Sequence, residues 1–123
     1  MRLLVVAFLI FLTACSSLRN AETDGVLWIS GLSDRVGSYG LARLADERNE
    51  PLMAFNGTFS GNPRAIVGHS LGADRAARMA LQSCPNVVVL LDPTQTFDMS
   101  RCRTFVVWSK SWNRRHVTGA KEY

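Results

Sequence analysis

Ser70 stands in the stretch Ala65-Ile66-Val67-Gly68-His69-Ser70-Leu71-Gly72-Ala73-Asp74-Arg75-Ala76-Ala77-Arg78-Met79-Ala80, with a glycine two residues to either side. The apolar run before it predicts a buried strand, and the alanine-rich run after it predicts a helix starting at Gly72. A turn tight enough to join them puts the flanking positions in collision unless both are glycine. Such a turn holds a hydroxyl above the sheet edge, where the first N–H groups of the helix face any negative charge that forms. Those are the requirements of acyl transfer. A serine hydroxyl also needs a base, and the chain has two histidines. His69 is turned by the elbow away from the serine's own side, which makes His116 the candidate base. The base in turn needs a carboxylate to fix its tautomer. No Asp or Glu lies between Arg103 and His116, and Asp92 follows the strand-like Val87-Val88-Val89-Leu90-Leu91 directly. Asp92 is the candidate acid, with Asp98 in reserve. A purely architectural reading competes: Ser70 as a helix cap, Asp92 as a turn cap before Pro93, and His116 as a surface histidine.

The residues Gly68-His69-Ser70-Leu71-Gly72-Ala73 resemble the elbow of the α/β-hydrolase superfamily, and most of all its lipase and thioesterase branches. Leu91-Asp92-Pro93 is similar to a segment in which some lipases carry their acid. Ser70, Asp92 and His116 also follow the superfamily's chain order. The resemblance covers roughly Val26 to His116. It implies that the Leu71 backbone N–H is one oxyanion donor and that the turn after the first core strand, at Leu32 or Ser33, supplies the other. It further implies hydrolysis of a carboxylic ester or thioester through an acyl-enzyme, without metal or cofactor. No long insertion is available as a lid, which favours small or medium acyl substrates. Superfamily members are usually much longer. Two alternatives therefore stand: a non-catalytic envelope lipoprotein that keeps the scaffold for binding, and an acyltransferase with the same triad.

The elements that position these residues are legible as apolar runs. Val26–Ser30 reads as the first core strand, and a helix is expected over most of Arg35–Asn49. Leu52–Phe55 reads as a second strand, the Val87 run as a strand buried on both faces, and Thr104–Trp108 as the last. Alternating strands and helices predict an α/β fold, and the resemblance makes it a reduced α/β-hydrolase-like three-layer sandwich with a mostly parallel sheet of about five strands. The turn-rich loop Asn56–Pro63 is shorter than the dozen or so residues a parallel crossover normally needs. Either the chain crosses without a helix, or the Leu52 strand pairs antiparallel with the elbow strand. Trp108, Trp112, Phe59 and Tyr39 are candidate walls of an acyl pocket.

With 123 residues, 47% of them hydrophobic, the chain has room for one packed domain. Met1-Arg2, the apolar Leu3–Leu12 and the closing Leu12-Thr13-Ala14-Cys15 resemble a bacterial lipoprotein signal. The apolar run is too short to span a bilayer. Residues 1–14 are read as the signal peptide, Cys15 as the lipid attachment site, 15–24 as a polar tether and 25–123 as the hydrolase domain. The expected location is the bacterial cell envelope, lipid-anchored to the membrane, and in a Gram-negative cell the outer membrane facing the periplasm. Export leaves Cys84 and Cys102 as a pair in an oxidising compartment, each before a strand, and predicts a disulfide. The net charge of +4 is modest, with Arg101, Arg103, Lys110, Arg114, Arg115 and Lys121 gathered near the C-terminus. This is a solvated basic face or a contact for anionic lipid head groups. No aromatic-basic pattern suggests nucleic acid, and no ligand spacing suggests a metal.

Overall fold

The continuous apolar runs form the middle of one parallel sheet. A computed structural model describes residues 20–32, 40–109 and 113–123 of the chain. Its strands, in chain order, are β1 (Asn20–Glu22), β2 (Val26–Ser30), β3 (Leu52–Ala54), β4 (Thr58–Ser60), β5 (Ala65–His69), β6 (Val87–Leu91), β7 (Phe97–Asp98), β8 (Thr104–Val107), β9 (Val117–Thr118) and β10 (Lys121–Glu122). Helix α1 spans Leu41–Glu47 and α2 spans Leu71–Gln82. Six strands make the main sheet in the order β10-β8-β6-β5-β2-β3, and every pairing in it is parallel. The fold is thus of the α/β class, with one strand more than the expected five because Lys121–Glu122 pairs beside β8.

Side-chain alternation along the strands divides the core in two. Leu27, Ile29, Ile66, Val88, Leu90 and Val106 turn to one face and pack against Ala73, Ala76, Ala77 and Ala80 of α2. These alanines recur at helical spacing and are all fully buried, so α2 lies close against the sheet. The other face carries Trp28 and Leu91, which meet Leu41 and Ala45 of α1, with Val67, Val89 and Val107 packed around them.

Several expectations are corrected. Of the helix expected over most of Arg35–Asn49, the described part is Leu41–Glu47, preceded by Gly40 in the left-handed conformation at φ 58°, and residues 35–39 of that expectation lie outside the described residues. The Leu52 strand is not an antiparallel partner of the elbow strand. It pairs parallel with β2, which lies between it and β5. The short loop crosses without a helix: β4 pairs parallel with β1, Asn20 abreast of Thr58 and Glu22 abreast of Ser60. Asn20–Glu22, read as tether, is therefore an ordered strand. The chain gained by pairing what the sequence reads as polar linker, because an exposed crossover strand needs a partner for its backbone groups.

Cys84 and Cys102 are joined in a disulfide, with Cα atoms 5.3 Å apart and a sequence separation of 18. Closing a loop of that size contributes about 3 kcal/mol. The apolar Leu3–Leu12, Cys15, Ser33, Tyr39, Lys110 and Trp112 lie outside the described residues. Among those described, no helix is long and apolar enough to cross a membrane.

Candidate active site at the C-terminal edge of the sheet

Ser30, His69, Leu91 and Val107 end parallel neighbouring strands, so the turns that follow them share one edge, the usual location of sites in such sheets. At the end of β5 the backbone is forced into an unusual state. Ser70 has φ 57° and ψ −119°, a conformation that L-residues avoid and that costs on the order of 1–3 kcal/mol. Its surroundings hold it there. The Ser70 N–H donates to the Leu91 carbonyl at 2.8 Å, and its own carbonyl accepts the Ala73 and Asp74 N–H groups at 3.0 and 3.2 Å.

The two glycines answer to close approach of backbone. A Cβ on Gly68 would strike the Gly72 carbonyl and lie 2.7 Å from the Ala73 nitrogen. A Cβ on Gly72 would strike the Ile29 carbonyl oxygen, with the Ile29 carbon at 2.7 Å. The elbow is thereby wedged between its own helix and the end of β2. Ser70 occupies the N-cap position of α2, yet its side chain makes no capping hydrogen bond. The helix-cap reading thus has no contact to support it among the described residues.

The turn after β2 closes on the same point. A Cβ at Gly31 would lie 3.0 Å from the Ser70 Cβ and 3.5 Å from the Leu71 nitrogen. Leu71 opens α2, so the turn that carries Gly31 passes beside the Leu71 nitrogen, and Leu32 is the next residue along it. The Leu32 side chain itself is 80% exposed.

Asp92 also has positive φ, at 48°, so two consecutive strand ends at this edge carry left-handed, non-glycine residues. It is buried at 2% exposure. The Ser109 N–H donates to its Oδ1 at 2.7 Å, and its own N–H donates to the Val107 carbonyl at 3.0 Å. Its other oxygen lies 4.0 Å from Nε2 of buried His69. That separation is long for a hydrogen bond and within range of an ion pair with a protonated imidazole. His69 thus turns to the carboxylate, a placement readable in retrospect from the pairing of His69 with Leu91.

Another residue absent from the sequence reading secures the Asp92 turn. Asp74, 1% exposed in the first turn of α2, accepts the Thr94 N–H at 2.8 Å and the Thr94 hydroxyl. The first turn of a helix is a favourable place for a carboxylate, and here it ties the elbow helix to the loop after β6.

His116 is bonded to other partners. It is exposed, its carbonyl accepts the Phe97 N–H at 3.2 Å, and its Nε2 lies 3.0 Å from the Thr118 hydroxyl. Among the described residues no hydrogen bond or ion pair joins its ring to Ser70 or Asp92. Asp98, the reserve acid, is exposed and accepts the Ser100 hydroxyl at 2.6 Å and the Ser100 N–H at 3.1 Å. These bonds, the hydroxyl's first, hold its carboxyl below the usual range.

Of the aromatic residues expected to wall a pocket, Trp108 is buried in the α2-side core at 7% exposure, with an indole N–H that meets no acceptor among the described residues. Phe59 lines a cleft of about 610 Å³ with Ile66, Met79, Gln82, Cys84 and Asn86. That cleft opens at the opposite end of the sheet, before β5 and β6, so Phe59 does not wall a pocket beside Ser70. Compared with known proteins, the chain matches no family model, no curated sequence and no solved structure.

Proposed function

We propose that the chain is a small serine hydrolase with a reduced α/β-hydrolase-like fold, cleaving a carboxylic ester or thioester, and that it is held to the bacterial cell envelope by lipid on Cys15. The observation that carries the reading is the backbone of Ser70. A strained, non-glycine residue kept at a strand-to-helix apex by glycine contacts on two sides is a feature that architecture alone does not require.

In this reading the Ser70 oxygen attacks the acyl carbon while His116 takes the hydroxyl proton. The negative charge moves to the carbonyl oxygen, beside the Leu71 and Leu32 N–H groups, each donor contributing about 3–4 kcal/mol at the transition state. His116 returns the proton to the departing alcohol or thiol. Water then repeats the sequence on the acyl-enzyme and frees Ser70. Asp92 orients the base, which requires His116 to leave its present bond to Thr118.

That bond favours a second reading, a scaffold that keeps the elbow without turnover, because Asp92 is already engaged by Ser109 and faces His69. Hydrolysis of p-nitrophenyl butyrate by the purified chain in detergent, beside Ser70→Ala, separates the two. The hydrolase reading expects turnover that the variant lacks and labelling of Ser70 by a fluorophosphonate. Two folded, equally inert and unlabelled proteins would leave the scaffold.

A further inference from the structure

The strand β1 fixes the end of the domain at which the N-terminal segment joins it. It runs beside β4, with Asn20 abreast of Thr58. Thr58 follows directly on the turn after β3, where the Gly57 N–H donates to the Ala54 carbonyl at 2.9 Å. Ala54 pairs with Ser30, so this turn belongs to the same sheet edge as Ser70. From there β1 and β4 both run toward the far end, where the Arg64 N–H donates to the Gly25 carbonyl at 2.8 Å. The chain therefore enters the fold at the edge that carries the candidate site.

The covalent path from Asn20 back to Cys15 is short. Five peptide links separate the two residues in the sequence, and fully extended they span about 18 Å. A domain of roughly one hundred residues is about 33 Å across, from its usual radius of gyration. A lipid on Cys15 thus holds the Asn20 end near the bilayer and leaves too little chain to wrap around to the opposite end.

The surface at this edge suits the contact. Arg114 and Arg115 are exposed and directly precede His116, whose carbonyl accepts the Phe97 N–H. Strands β7 and β9 pair in parallel from Phe97 and Val117. They run away from the edge toward Cys102, whose N–H donates to the Met99 carbonyl at 3.0 Å. The arginines therefore lie on the same side as Asn20. Leu32, 80% exposed, adds an apolar side chain there. Cations beside an apolar tip fit the head-group region of an anionic bilayer, at about 1 kcal/mol per arginine near the surface.

We infer that the C-terminal edge of the sheet, bearing Ser70, Leu32, Arg114 and Arg115, docks on the anionic phospholipid surface to which Cys15 is anchored. The inference rests on the lipid-anchored reading and is independent of whether Ser70 turns over. Its test uses the full chain, matured in a bacterium and reconstituted into vesicles of three parts phosphatidylcholine to one part phosphatidylglycerol. With Cys84 and Cys102 bridged, a cysteine at Asn113→Cys or Asn62→Cys takes a single environment-sensitive fluorophore at the near or the far end. Quenching by head-group spin-labelled lipid should be several-fold stronger at position 113. Adding Arg114→Glu and Arg115→Glu should lower the quenching at position 113 toward that at position 62. Intact mass reports Cys15 separately: an unmodified Cys15 overturns the anchoring and the inference together. A lipidated chain quenched equally at both positions, or more at 62, overturns the orientation alone.

Discussion

The elbow and the segment after β8 are built to opposite standards, although the proposed chemistry needs both. Around Ser70 the backbone is wedged by Gly68, Gly72 and Gly31, strained, and backed by the fully buried alanines of α2. Around His116 the chain is exposed from residue 113 to 116 and held by two-residue strands. A nucleophile and its oxyanion donors gain from being fixed before substrate arrives. The residue to which the proposal gives the proton is here the one on the more loosely supported element. The difference teaches that the strain at Ser70 sits where neighbouring structure over-determines the backbone, and that the proposed site would have to be completed from the less supported side.

The largest expected effect tests that division directly. His116→Ala should lower ester hydrolysis by about 10⁶-fold without shifting the unfolding midpoint, since removing a triad base leaves only the residual catalysis of binding and oxyanion stabilisation. If His69→Ala abolishes activity and His116→Ala does not, the base assignment passes to the elbow side and the contrast disappears.

Next comes the rigidity of the elbow. Gly72→Ala drives a methyl into the Ile29 carbonyl and should cost about 3 kcal/mol in urea unfolding. Arg115→Ala, on the exposed segment, should stay within about 0.5 kcal/mol. Equal tolerance at both positions would remove the distinction.

Asp74→Ala sharpens the comparison from beneath. It leaves the Thr94 N–H without its carboxylate partner and should cost about 2 kcal/mol, with faster amide exchange at residues 92–94. Unchanged exchange would mean that the loop after β6 is held by other contacts. The smallest effect is a gain: Ser70→Gly relieves the strain at φ 57° and should stabilise the inactive chain by about 1 kcal/mol. A loss of stability would mean that the serine side chain contributes packing that outweighs its backbone.

The elbow was readable because its spacing is imposed by collision, and collision leaves no choice of residue at positions 68 and 72. The central strands were readable because burial on both faces makes them uniformly apolar, as in Val87–Leu91. Strands β1, β7, β9 and β10 were not, since segments of two or three residues such as Phe97–Asp98 are defined by the partner that tertiary folding brings. The same limit hid the place of β3, whose pairing with β2 rather than β5 depends on sheet order. It also hid Phe59, carried to the far end by a crossover that runs extended instead of helical. The nearness of His69 to Asp92 required the register of β5 with β6, and the bond from Thr94 to Asp74 a loop geometry that composition does not encode.

The bridge between Cys84 and Cys102 has a consequence for how the chain folds. Every pairing in the main sheet joins segments separated by a crossover, so closure of each loop must precede its reward, a condition that slows folding. Cys84 precedes β6, Cys102 precedes β8, and these strands pair with Val88 opposite Thr104. A chain oxidised before it folds therefore starts with that pair already brought together. Refolding from urea with the bridge intact should be faster than refolding of the reduced chain, with the difference residing in the folding rate and little in the unfolding rate.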